Sequence, residues 1–147
     1  MAVFRKTFLV IFAIIIVSSS SAQIKSVDEI FANAGRSSKL VLLKFYADWC
    51  DPCTTMERKI FNSPEFVSFE REKLISLTIY FPQKQDTRSV SGMTQRDRDL
   101  IEKYNPGHML PYLVLTDSKG NVLQKWSGYL RDLQTENYIE EIKRFIR

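Results

Sequence analysis

The sequence predicts an α/β domain, with one central mixed β-sheet flanked by helices and closed by a terminal β-hairpin and helix. Three observations predict it. Two apolar runs rich in branched and aromatic residues, "KLVLLKFYA" (39–47) and "KLISLTIYF" (73–81), are separated by helical sequence, the pattern of buried strands joined by a crossover. Two later strand-like stretches, "PYLVLTD" and "VLQKWSG", are joined by "SKGN", a hairpin signal. Helical patterns precede, separate and follow these strands, which favours a layered sheet.

Taken in order, the first 22 residues carry the pattern of a secretory signal. Arg5 and Lys6 form a positive start, Phe8 to Val17 is apolar, and "SSSSA" supplies small residues before Gln23. Cleavage is expected after Ala22, with Ser20 and Ala22 at the −3 and −1 positions. The ten-residue apolar stretch is too short to cross a bilayer core, which takes about 20 helical residues. The expected organisation is therefore a signal peptide over 1–22 and one domain over 23–147, exported and with no stable membrane span after cleavage.

"SVDEIFANAG" opens with Ser26 and Glu29 at capping-box spacing, and Gly35 is expected to end that helix. After the strand at 39–47, a helix is expected to start at the cysteines, with Pro52 in its first turn, and to run to about Phe61. Ser63 and Pro64 then cap and open a short helix. Residues 82–95 are polar and aperiodic and predict a surface loop. "RDRDLIEKY" (96–104) is helical and "NPG" breaks it. The last helix, 133–147, sets Tyr138, Ile142, Phe145 and Ile146 on one face.

Composition narrows the function. The chain has 147 residues, 44% hydrophobic, and a net charge of +4, enough for one domain with its own core. Without Arg5 and Lys6, 19 Lys/Arg face 17 Asp/Glu. No basic stripe interleaved with aromatics is present, so nucleic acid is not an expected partner. The charged residues over 65–103 are expected to form a solvated surface, and Phe45, Phe81 and Trp126 to sit in the core.

The two cysteines, Cys50 and Cys53, are the only ones in the chain. Two cysteines are not a disulfide scaffold, and closing a loop of two residues constrains the unfolded chain little. A C-x-x-C that opens a helix after a buried strand has a chemical rationale instead. Free N–H groups at the helix start stabilise a thiolate on the first cysteine. Cys50 would then be the exposed nucleophile, and Cys53, one turn deeper, would resolve the mixed disulfide. A third use is metal binding: with His108, the sole histidine, the pair could hold a soft ion such as Cu(I). A structural zinc site would need a fourth ligand that is not evident, and no metal site is assigned.

The stretch "LLKFYADWCDPC" (42–53), "MLPYLVLTDSKGNVL" (109–123) with Pro111, and Gly128 in "WSGY" resemble the thioredoxin family over nearly the whole mature chain. The resemblance implies the thioredoxin fold, a cis peptide before Pro111, and a substrate-binding role for Leu110 and Pro111 beside the cysteines. It also implies that Trp49 covers the active-site face. Within the family, "ADWCDPCTTME" followed by "IFNSPEF" looks closer to the C-terminal domain of the periplasmic thiol:disulfide interchange reductase than to cytosolic thioredoxin. That branch carries Glu four residues after the second Cys, the place of Glu57. Where the family usually has a buried Asp six residues before the first Cys, this chain has Lys44. Either Lys44 turns to solvent, or it pairs with Glu57 beneath Cys53, with Glu57 as proton acceptor.

The expectation is an exported thiol–disulfide oxidoreductase, a monomer acting on protein disulfides. It needs no dissociable cofactor and is re-reduced by a membrane or soluble thiol electron donor in the periplasm or another secretory compartment. Asp51 beside Cys50 opposes its thiolate, and the oxidants of the family it resembles tend to carry His between the cysteines, where this chain has none; both favour a reductase. An isomerase or oxidase is the alternative within the enzyme class. From another class, the alternative is a copper-delivery or client-binding protein.

Overall fold

A computed structural model of the chain describes residues 26–82, 92–129 and 134–146. The expected signal segment, most of the loop expected at 82–95 and both ends of the expected last helix lie outside the described residues. The element order is α1 (Val27–Ser37), β1 (Leu40–Tyr46), α2 (Asp51–Met56), a π-helical turn (Glu57–Phe61), α3 (Pro64–Lys73), β2 (Leu74–Tyr80), α4 (Gln95–Tyr104), β3 (Tyr112–Thr116), β4 (Val122–Ser127) and α5 (Thr135–Lys143).

The four strands form one mixed sheet in the order β2-β1-β3-β4. β1 runs parallel to β2, with Leu40 opposite Leu74 and Tyr46 opposite Tyr80. It runs antiparallel to β3, which forms the expected hairpin with β4. β1 is central and almost wholly buried, which is why its sequence is continuous rather than alternating.

Alternation still decides which side of the sheet each residue serves. Val41, Leu43 and Phe45 face α1 and α4, in a core with Ile30, Ala34, Leu100, Ile101 and Tyr104. Leu42 faces the other way, with Met56, Ile60, Phe61, Phe66, Tyr138 and Ile142 from α2, the π turn, α3 and α5. Burying each Val, Leu, Ile, Met or Phe side chain among these contributes about 1.5–3 kcal/mol. The cysteines belong to the first of these cores, at the C-terminal end of β1.

Three expectations are corrected. Gly35 does not end α1: the helix runs to Ser37, and Ser38 closes it at φ 53°, with the Ala34 and Gly35 carbonyls accepting from the amides that follow. The helix after the cysteines does not stay α-helical to Phe61. It widens at Glu57, where the Asn62 amide reaches back to the Glu57 carbonyl at 2.9 Å. Asp97 is not a solvated surface residue. It is 8% exposed, its carboxylate 2.7 Å from the Arg96 guanidinium, and its amide donates to the Thr94 cap. Phe45, Phe81 and Trp126 are core residues, as expected.

Candidate active site

β1 delivers the chain to the site and a tight turn delivers the cysteines. The Cys50 amide donates to the Ala47 carbonyl at 3.2 Å, so Cys50 leaves the strand in extended conformation and becomes the N-cap of α2. Its Sγ accepts from the Cys53 amide at 3.3 Å, and its carbonyl accepts from Thr54. Pro52 occupies the first turn, where its missing N–H costs no bond. Cys50 and Cys53 are joined by a disulfide with an S–S distance of 2.08 Å.

The two sulfurs are not equally placed. Cys53 is 1% exposed and Cys50 8%, so an incoming group reaches Cys50 first. The expectation of a plainly exposed Cys50 is corrected: in the disulfide state only a small part of it is open. Trp49 packs against the same core and donates from Nε1 to the Phe81 carbonyl at 3.2 Å, which ties the turn before Cys50 to the end of β2.

A groove of about 630 Å³ opens beside the disulfide, lined by Asp51, Pro52, Thr55, Lys59, Leu110, Pro111, Gly128 and Tyr129. The Leu110–Pro111 peptide is cis, and the Pro111 carbonyl accepts from the Gly128 amide at 2.9 Å. Gly128 has φ 76°, a conformation that glycine adopts freely. α2, the π turn, the loop before β3 and the end of β4 therefore meet at one trough, which Asp51 and Pro52 border between the two cysteines.

On the other side of α2, Lys44 points from β1 into the same layer as Leu42. Its Nζ lies 3.3 Å from Glu57 Oε2 and 4.5 Å from the centroid of the Phe61 ring. The Lys44 side chain is 11% exposed and that of Glu57 32%. Of the two dispositions open to Lys44 in the sequence, the structure has the paired one. Glu57 follows Cys53 by four residues, so the two share one helix face, and the Glu57 amide donates to the Cys53 carbonyl.

Beyond Glu57, a shallow pocket of about 260 Å³ is lined by Tyr46, Thr78 and Tyr80 as well. The Tyr80 hydroxyl donates to Asp48, which pushes the Tyr80 pKa up; burial, then the Asp48 charge, does the same for Tyr46. His108 lies away from this pocket, its ring edge-on to Phe81 at 5.8 Å. Among the described residues no group of three or more His, Cys, Asp or Glu side chains is placed to hold a metal ion.

Sequence reasoning missed two features, one in the groove and one outside it. The groove residues Thr55, Lys59 and Tyr129 carry no motif. Asn105, read only as part of a helix breaker, is buried and bonded to the loop that leads to Pro111.

A disulfide-linked C-x-x-C at the start of a helix, beside a cis-proline groove and at the end of a central strand, is the site of a thiol–disulfide oxidoreductase. The chain belongs to the thioredoxin-like domain family, which it matches over residues 27–143. It is similar to the thiol:disulfide interchange protein DsbD of Photorhabdus laumondii, at 24% identity over 108 residues, or 72% of this chain and 17% of that protein. The chain thus spans about a sixth of the length of that relative. Among solved structures it is similar to a DsbH oxidoreductase, at 26% identity with a TM-score of 0.66, covering 83% of this chain and 82% of the other. The oxidised C-terminal domain of Neisseria meningitidis DsbD shares the fold, at 20% identity and a TM-score of 0.54, over 80% of this chain and 90% of that one. A disulphide isomerase from Xylella fastidiosa shares it too, at 17% identity and a TM-score of 0.59, over 82% and 88%.

Proposed function

We propose that this chain is an exported protein-disulfide reductase, in which Cys50 is the nucleophile and Cys53 the resolving thiol. The observation that carries the reading is the unequal placing of the two cysteines: Cys50 is the more exposed residue and its Sγ takes an N–H from Cys53 at 3.3 Å. In the reduced protein the same N–H stabilises a Cys50 thiolate.

The reaction balances without a cofactor. The Cys50 thiolate attacks one sulfur of a client disulfide, forming a Cys50–client mixed disulfide and releasing the other client sulfur as thiolate. Cys53 then loses its proton and attacks Cys50 Sγ, which frees the second client thiolate and closes the Cys50–Cys53 disulfide. Two electrons pass to the client. A thiol electron donor, soluble or in the membrane, returns them.

Each remaining site residue has a part. Glu57 accepts the Cys53 proton, and Lys44, 3.3 Å away, orients the Glu57 carboxylate. Leu110 and Pro111 bind the client backbone along the groove, and Trp49 covers the approach to Cys50. Asp51 disfavours the Cys50 thiolate by like charge; a strong oxidant of this chemistry depends on a stabilised thiolate, so Asp51 favours the reducing direction. Residues 1–22 act as a signal peptide cleaved after Ala22, and residues 23–147 work as a monomer in the periplasm or outside the cell.

Equilibrating the mature protein against glutathione and thioredoxin standards tests the direction. A potential near −270 mV, with reduction of insulin disulfides, supports a reductase. A potential near −120 mV makes it an oxidant. Tight Cu(I) binding with no insulin reduction makes it a metal carrier.

A further inference from the structure

We infer that Asn105 is the positioning residue of the client groove: its side-chain amide clamps the backbone of Met109 and so fixes where Leu110 and Pro111 stand against the Cys50–Cys53 pair. The inference rests on the reductase reading above and deepens it.

Asn105 is the C-cap of α4, and 1% of it is exposed. Its Nδ2 donates to the Met109 carbonyl at 3.0 Å, and its Oδ1 accepts from the Met109 amide at 2.9 Å. One side chain thereby satisfies both backbone groups of one residue, as a neighbouring strand would. The Asn105 carbonyl takes a further bond from the His108 amide at 2.9 Å, and its own amide donates to Ile101. Every polar group of Asn105 is used, and the loop 105–109 closes on this residue.

The closure holds an unfavourable conformation. His108 has φ 52°, in the left-handed region that a residue with a side chain rarely adopts. Such a conformation persists where its surroundings over-determine it, and the three bonds from the loop to Asn105 do that. From Met109 only Leu110 separates the clamp from Pro111. Chain shortness thus converts a fixed Met109 backbone into a fixed groove wall.

The residue type follows from the geometry. Aspartate would present two acceptors to Met109 and repel its carbonyl; glutamine would overshoot by a methylene; alanine would leave a buried N–H and C=O without partners. The Met109 side chain is not part of the clamp. It is 42% exposed, and its sulfur takes a hydrogen bond from Ser127 Oγ.

The test compares wild type with Asn105→Ala on a protein disulfide (insulin) and a small one (DTNB), which needs no backbone groove. The expected result is a KM for insulin raised about tenfold. The redox equilibrium constant against glutathione and the DTNB rate should stay within about twofold of wild type. An unchanged insulin KM in a folded variant, or equal losses on both substrates, overturns the assignment. If Asn105→Ala does not fold, Asn105→Asp, nearly isosteric, is measured in its place. Hydrogen exchange at the Met109 amide decides the clamp without any activity: it should speed up in the variant while core amides do not. A wild type inactive on every disulfide would remove the reductase reading and leave that exchange result standing.

Discussion

Lys44 and Glu57 meet at 3.3 Å beneath the widened turn that follows α2, with the lysine ammonium also over the Phe61 ring. Glu57 opens the π turn that the Asn62 amide closes on its carbonyl, and such turns recur at functional sites. The pair is half sheltered: a charge 11% exposed faces one 32% exposed, so each partner needs the other more than a surface pair would.

Breaking the pair from either side should move the resolving thiol in opposite directions. In the reduced protein, Lys44→Ala leaves a carboxylate on the Cys53 face of the helix and raises the Cys53 pKa. Glu57→Gln leaves an unneutralised ammonium and lowers it. Lys44→Ala should also cost about 1–2 kcal/mol of stability, from the orphaned carboxylate and the lost contact with Phe61. Thiol titration by absorbance and denaturant unfolding of both variants check this. Shifts of the same sign, or none, would remove the proton-acceptor role from Glu57.

The single-cysteine variants should separate the roles of the two sulfurs. Cys53→Ser, with no resolving thiol, should accumulate a mixed disulfide through Cys50 when offered a client disulfide. Cys50→Ser should accumulate little, because the remaining thiol is 1% exposed. Both should lose turnover to background. Trapping and mass spectrometry read the linkage directly, and equal trapping by both variants would mean that either sulfur can be the nucleophile.

Much of this was legible because local chemistry and tertiary placement agree. The nearly continuous apolar stretch at 40–46 suited a strand buried on two sides, and the hairpin from Tyr112 to Ser127 announced itself through "SKGN". The C-x-x-C site was legible for the same reason, since a buried strand and Pro52 fix where the helix starts. What was not legible depends on contacts between distant elements. Lys44 looks the same in sequence whether it meets solvent or Glu57. The π turn has no propensity signature, because one inserted residue is selected by packing. The Met109 clamp is a short-range contact, but Asn105 beside Pro106 and Gly107 reads first as a breaker, and that signal hides its second use.

The hairpin loop supplies a stability prediction. The Asp117 carboxylate accepts from the amides of Lys119 and Asn121 at 2.8 and 2.9 Å, and from Asn121 Nδ2 at 2.8 Å. Burial pushes its pKa up, but these bonds outweigh it and hold the carboxyl below 3.8. A depressed folded value means that the contribution is present above pH 3.8 and is lost as pH falls through the folded value. Asp117→Ala should therefore cost about 1–2 kcal/mol at neutral pH and much less in strong acid. Gly120→Ala should cost about 2–3 kcal/mol at all pH values. Its φ is 80°, and a Cβ there would lie 2.8 Å from the Tyr104 hydroxyl. Urea titrations at neutral and acid pH distinguish the two, and an Asp117→Ala cost that persists unchanged in acid would refute the carboxylate account.

At the other end of the pH scale, Tyr138 should govern. Its ring is 1% exposed and packs against Trp126 at 6.0 Å, whose indole Nε1 donates to Glu141. Among the described residues the buried Tyr138 hydroxyl has no hydrogen-bond partner. Burial, with smaller contributions from Glu141 and Tyr129, pushes its pKa up to about 12 from 10.0. A raised folded value means that stability is fully present below pH 10 and falls as pH rises toward 12, since the unfolded chain ionises first. The gap converts to about 2–3 kcal/mol lost across that window. Tyr138→Phe removes an unsatisfied polar group and keeps the ring, so at pH 7 it should be neutral or up to about 1 kcal/mol more stable. It should also lose less stability than wild type between pH 10 and 12, with the raised values of Tyr46 and Tyr80 accounting for what remains. Thermal unfolding of both proteins across that range is the measurement; a Phe variant that loses stability in parallel with wild type would show that another group titrates, and a variant clearly weaker at pH 7 would show that the hydroxyl has a partner.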